Sequence, residues 1–110
     1  MTNRRVIEYV RDGSSPFAKW FSALDAPAAA KVAVALYRLE QGNVSNVKAV
    51  GKGVSEYKID FGPGYRIYFG QEGDELVILL GGGAKKTQDK DIQIAQTLWV
   101  EYKQVKAKKK

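Results

Sequence analysis

The chain has no cysteine and no histidine among its 110 residues. Without cysteine, disulfides, iron–sulfur clusters and thiolate zinc sites are excluded. Without histidine, the commonest general base and the commonest transition-metal ligand are missing. A Ser-His-Asp or Cys-His enzyme cannot be built from this chain, nor a nuclease that relies on a pair of catalytic histidines. No apolar run approaches the roughly 18 residues that span a bilayer. The opening Met1–Val10 is charged and lacks the apolar core of a signal peptide. The expected location is the cytoplasm, with no membrane partner. Gly81-Gly82-Gly83 lacks the spacing of a phosphate-binding P-loop. The carboxylates are scattered or already lie beside bases, so neither a metal nor an organic cofactor is expected.

What is present is ordinary for a globular protein. Hydrophobic residues make up 45% of the chain and charged residues 27%, enough to exclude general disorder. The length suits one core, expected over residues 1–105, with a basic tail over 106–110. Net charge is +6, and its distribution is uneven. Residues 85–110 carry eight lysines against the three carboxylates Asp89, Asp91 and Glu101, whereas residues 1–84 carry ten basic side chains against nine acidic ones. Such a surface favours polyanions through phosphate neutralisation and counterion release. For the last few lysines a solvated end is an equally good account.

The residue pattern predicts a β-α-α-β-β-β-α order: an α+β domain with a small antiparallel sheet and helices packed on one face. Asn3–Val10 has the β-branched and aromatic content of a strand. Ser15-Pro16 signals a helix start, with Phe17, Trp20, Phe21 and Leu24 at helical spacing. Asp25 and Pro27 open a second helix with a stripe of Ala29, Val32, Ala33, Leu36 and Leu39, stopped by Gly42. Residues 43–53 are expected to form a loop. Strands are predicted over Val54–Phe61, Tyr65–Gly70 and Glu75–Leu80, the first two joined by Gly62-Pro63-Gly64. Gly81–Gly83 is expected to carry the chain out of the sheet. Thr87 is expected to cap a last helix that packs through Ile92, Ala95, Leu98, Trp99 and Tyr102.

The hairpin Val54–Phe69 carries the chemistry. Alternation places Ser55, Tyr57, Ile59 and Phe61 on one face, and Glu56, Lys58 and Asp60 on the other. With Phe61 opposite Tyr65, Asp60 faces Arg66 and Lys58 faces Tyr68. The second face then bears Glu56, Lys58, Asp60, Arg66 and Tyr68, and must be wet or bound by something. Lys58, Arg66, Lys85 and Lys86 could grip phosphates, arginine bidentately. A tyrosine such as Tyr68 could stack on a base. Cleavage of RNA by its own 2′-hydroxyl needs positioning, charge stabilisation and proton transfer, and a lysine of lowered pKa could serve as base. The plain alternative is a solvated face with Asp60 ion-paired to Arg66.

Glu56-Tyr57-Lys58-Ile59-Asp60-Phe61, Gly64-Tyr65-Arg66-Ile67-Tyr68-Phe69 and the segment from Leu79 through Gly83, Lys85, Lys86 and Thr87 to Ile92 resemble the RelE/ParE superfamily of bacterial toxins. The closest likeness is to its HigB-like subgroup of phage- or plasmid-borne killer proteins. The resemblance runs from the aromatic segment Phe17–Phe21 to Tyr102. It implies a fold that matches the predicted order, and the toxin of a type II toxin–antitoxin system held inactive by a small helix-turn-helix antitoxin in a hetero-oligomer. In the RelE and HigB branch such a toxin enters the ribosomal decoding site and cuts mRNA; in the ParE branch it poisons DNA gyrase. Arg66 matches the arginine that stabilises the scissile phosphate, Lys58 a lysine of the catalytic face, and Lys86 or Lys85 a basic residue after the last strand. This chain departs from RelE in carrying Asp60 where RelE has a second lysine and Ile92 where it has a tyrosine.

The expected activity is therefore a metal-independent, ribosome-dependent mRNA endonuclease that inhibits translation. Arg66, Lys58, Lys86 and Tyr68 are its candidate catalytic residues; Lys85, Lys90, Lys52 and Tyr102 are candidate RNA contacts. The alternatives are a ParE-like gyrase poison, or a non-toxic nucleic-acid- or partner-binding module, which Asp60 opposite Arg66 would favour. The tail Lys103–Lys110 is expected to help hold ribosomal RNA.

Overall fold

Two helix starts announced by the sequence form as local chemistry dictates. In the computed structural model, which describes residues 3–108, the Ser15 hydroxyl accepts from the Ala18 N–H at 3.0 Å and opens α1 (Pro16–Ser22). The Asp25 carboxylate accepts from the Ala28 N–H at 3.0 Å and opens α2 (Ala26–Glu40). Each cap satisfies an N–H that the first turn leaves without a partner, and the prolines behind them give up nothing there. Gly42, at φ +81°, ends α2 in the left-handed conformation.

The strands are β1 (Arg5–Glu8), β2 (Val47–Ala49), β3 (Val54–Ile59), β4 (Tyr65–Glu72) and β5 (Leu76–Ala84); a 3-10 turn at Lys85–Thr87 leads into α3 (Gln88–Lys108). The class is α+β, as the pattern predicted. The sheet order is β1-β5-β4-β3-β2. β3, β4 and β5 form the expected antiparallel meander, but β1 pairs with β5 in parallel, so the sheet is mixed. The segment predicted as loop contributes β2, antiparallel to β3 at its edge.

The helices do not share one face. α1 and α2 bury Phe17, Val32, Ala35 and Leu39 against Tyr57, Ile59, Ile67, Phe69, Val77 and Leu79. α3 lies across the other side, where Ala95, Leu98 and Trp99 pack on Val54, Tyr68, Ile78 and Leu80. The alternation of each strand feeds both cores, which is why β5 reads as apolar on both faces. The face expected to be wet is therefore covered along much of its length.

Glycine makes room for both layers. Gly81–Gly83 does not leave the sheet but lies within β5. A Cβ at Gly70 would stand 2.6 Å from Cδ2 of the Trp99 ring, and one at Gly82 would run into Trp20. The large rings of α1 and α3 lie flat on strand backbone that no other residue would leave bare. Among the described residues, no helix is long and apolar enough to cross a membrane. α3 continues through Lys106 and Lys108, so the first part of the basic tail is helical; Lys109 and Lys110 lie outside the described residues.

Candidate functional site

The hairpin register decides which side chains meet. Ile59 pairs with Tyr65, Lys58 with Arg66, and Glu56 with Tyr68. This is two residues away from the predicted register. The turn is longer than Gly62-Pro63-Gly64 alone: the Gly64 N–H bonds to the Phe61 carbonyl, with Gly62 at φ +55° and Gly64 at φ +79°. Asp60 therefore falls in the turn, exposed, with Lys58 Nζ 3.7 Å away. It does not face Arg66, so the feature that favoured a non-toxic module is absent. A slip of two leaves every residue on its predicted face.

Glu56 takes the place expected of Asp60. Its carboxylate Oε1 lies 3.6 Å from Arg66 Nε and accepts a 2.7 Å hydrogen bond from the Gln88 side chain, at the start of α3. Its Oε2 lies 3.7 Å from Lys48 Nζ. Arg66 Nη1 donates to the Gly64 carbonyl at 3.0 Å, which fixes the guanidinium against the turn. Glu56 is only 1% exposed and Arg66 only 5%. The separation of 3.6 Å is an ion pair rather than a hydrogen bond. Arg66 Nε and the Tyr68 hydroxyl have no hydrogen-bond partner among the described residues. Leaving such buried groups unmade costs about 1–3 kcal/mol each, and each calls for an explanation.

β5 shapes the space beside them. A bulge between Tyr68 and Phe69 of β4 leaves Leu80 without a partner and brings Gly81 opposite Tyr68 and Gly83 opposite Arg66. Nothing lies within 4 Å of where a Gly81 Cβ would stand, whereas a Gly83 Cβ would meet the Asp91 carboxylate. Asp91 accepts a 2.6 Å bond from the Thr87 hydroxyl. Thr87 immediately precedes α3, at the end of the 3-10 turn, whose own cap position, Ala84, offers no side-chain bond. Burial, reinforced by the carboxylates of Glu56 and Asp91, pushes the Tyr68 phenol far above its ordinary value.

The predicted site residues divide into two groups. Arg66, Tyr68 and Lys58 come together at one end of the hairpin. The Lys85 N–H bonds to the Gly64 carbonyl at 2.8 Å, so Lys85 and its neighbour Lys86 reach the same end, both exposed. Tyr68, however, lies beneath α3 at 1% exposure and offers no stacking surface as the protein is folded. Lys90 is exposed on α3, beside a shallow hollow that it lines with Arg11 and Gln93. Lys52 and Tyr102 belong to the far end. Lys52, at φ +57°, sits in the β2–β3 turn, where Gly53 approaches Trp99. The Tyr102 hydroxyl donates to Glu72 at 2.9 Å, and its ring stacks on Trp99. The residues that sequence reasoning missed are Glu56 and Gln88. The alternation of β3 placed Glu56 on the right face; no signal marked Gln88.

The fold defines a small α+β protein with one five-stranded mixed sheet and helices on both of its faces. Within that class, the chain belongs to the phage-derived Gp49-like protein family (DUF891), whose model matches residues 19–100; this is a family of type II toxin–antitoxin toxins. An uncharacterized protein of Haemophilus influenzae is 46% identical over 83 residues, covering 74% of this chain and 84% of that protein.

Proposed function

We propose that this protein is the toxin of a type II toxin–antitoxin pair and acts as a ribosome-dependent mRNA endonuclease of HigB-like character, restrained by a helix-turn-helix antitoxin. The observation that carries the reading is the Arg66 end of the hairpin. One buried arginine, clamped by the Gly64 carbonyl, has an unsatisfied Nε; the exposed Lys58 is its cross-strand partner, and the exposed Lys85, followed by Lys86, leaves β5 at the same turn. A guanidinium held out of water interacts strongly with phosphate, and the surface lysines can lead a sugar-phosphate backbone to it. Arg66 is 5% exposed, so this reading requires the segment over it to open; Gln88, bonded to Glu56, is the side chain that ties the first turn of α3 down there.

In this reading Arg66 stabilises charge on the phosphate in the transition state, and Lys58 and Lys86 hold its neighbours. Losing one such group lowers a rate by about 10²–10³. Arg66→Ala should abolish growth arrest while circular dichroism shows an intact fold; a folded variant that arrests growth like wild type rejects the reading. The ion pair with Glu56 favours one second reading, in which Arg66 serves the fold rather than cleavage: a gyrase poison. Induction would then produce double-strand DNA breaks with transcripts intact, whereas mRNA cleavage yields mapped breaks in translated messages.

A further inference from the structure

We infer that Glu56 is the proton acceptor of this site, an assignment that rests on the RNA-cleavage reading above. Attack by a 2′-hydroxyl requires a base beside the phosphate, and the chain has no histidine. Among the described residues, Glu56 is the one carboxylate paired with Arg66. Asp60 is exposed in the turn with Lys58, and Asp91, bonded to Thr87, makes no ion pair with Arg66 among the described residues. The Tyr68 phenol is pushed the wrong way to supply a phenolate near neutral pH. Lys58, Lys85 and Lys86 are exposed cations suited to phosphate.

The groups facing Glu56 come from every element packed on it: Lys48 from β2, Arg66 and Tyr68 from β4, and Gln88 from α3, with Asp91 beyond Tyr68. β5, one strand further over, sets the bare backbone of Gly81 and Gly83 opposite Tyr68 and Arg66. Gln88 occupies Oε1 in the closed protein. When the first turn of α3 lifts, that lone pair is released next to the guanidinium, where a phosphate on Arg66 would bring its ribose. The 2′-hydroxyl then gives its proton to Glu56 as the new P–O2′ bond forms. The P–O5′ bond breaks and its electron pair leaves with the 5′-oxygen, which takes a proton from water. The products are a 2′,3′-cyclic phosphate and a 5′-hydroxyl end; Glu56 returns its proton to solvent, and nothing is oxidised or reduced.

The test is a cleavage assay of the full-length protein on mRNA-programmed ribosomes across a range of pH, with melting curves for each variant. Glu56→Gln keeps the shape and an acceptor for Gln88 but cannot take the proton. It should lower the cleavage rate by about 10²–10⁴ and remove the acid limb of the pH–rate profile. Glu56→Asp should retain that limb at a reduced rate. Should Glu56→Gln fail to fold, Glu56→Asp decides, and a profile without the acid limb overturns the assignment. If wild type cleaves and folded Glu56→Gln cleaves as fast with the same limb, Glu56 is a counter-ion and only this assignment falls. If wild type cleaves no RNA at all, the endonuclease reading falls and takes the assignment with it.

Discussion

At the scale of single residues, the fold depends on backbone left uncovered. The Trp99 ring lies on Gly70 from one side of the helix seat, and its Nε1 would stand 2.7 Å from a Cβ placed on Gly53. Gly70 is a buried strand residue with no positive φ, so the demand for glycine there comes from packing and not from backbone conformation. A methyl group at that point cannot be accommodated by a side-chain tip, because its neighbour is the rigid indole itself. Gly70→Ala should destabilise the protein by about 1–3 kcal/mol, the usual cost of overpacking a filled core. Chemical denaturation would measure this, and trimming the ring in a Gly70→Ala/Trp99→Leu double variant should recover part of the loss. Equal losses that simply add would mean that the two positions do not meet.

At the scale of elements, α3 is fastened unequally. Toward its C-terminal end, Tyr102 meets Tyr9 edge-on with centroids 5.8 Å apart, Glu101 pairs with Arg11 at 3.0 Å, and Lys106 donates to Glu72 at 2.6 Å. That hydrogen bond from Lys106 holds the Glu72 carboxyl below its usual range. The first turn has one side-chain tie to the sheet, Gln88 to Glu56. One hydrogen bond contributes about 0.5–1.5 kcal/mol, small enough for local opening to precede global unfolding. Gln88→Ala should therefore speed amide hydrogen exchange over residues 85–91 by up to about tenfold and leave the amides around Trp99 unchanged; a uniform change along α3 would refute a hinged first turn. How much of this was legible in the sequence follows the range of the forces involved. The Ser15 and Asp25 caps, the stop at Gly42 and the apolar alternation of β3 to β5 are local, and each was readable. The parallel pairing of β1 with β5 and the placement of α3 opposite α1 and α2 depend on contacts across the whole chain. The two-residue register difference arose because the turn closes between Ile59 and Tyr65 rather than two residues later. Alternation alone puts Arg66, Lys58 and Glu56 on one face, whereas the register that makes Glu56 rather than Asp60 the partner of Arg66 depends on the turn.

At the scale of the whole molecule, charge and structure point to the same end. The excess of +6 is concentrated after residue 84, and the 3-10 turn sets Lys85 and Lys86 exposed beside the hairpin turn that anchors Arg66. Arg66 is paired with Glu56, so its charge adds little to long-range attraction; under the proposed function, capture of a polyanion falls to these exposed lysines and Arg66 acts after contact. Binding to phosphate releases counterions, and each contact on a single strand adds about 0.7 to the slope of log affinity against log salt. Replacing Lys85 and Lys86 together by glutamine should therefore weaken binding to programmed ribosomes and flatten that slope by about 1.4, whereas Arg66→Ala should cut cleavage far more than it changes the slope. Equilibrium binding across a salt series, with cleavage measured in parallel, separates the two roles. An unchanged slope in the Lys85/Lys86 variant would leave those lysines as solvated charge and require the nucleic acid to approach from another side of the protein.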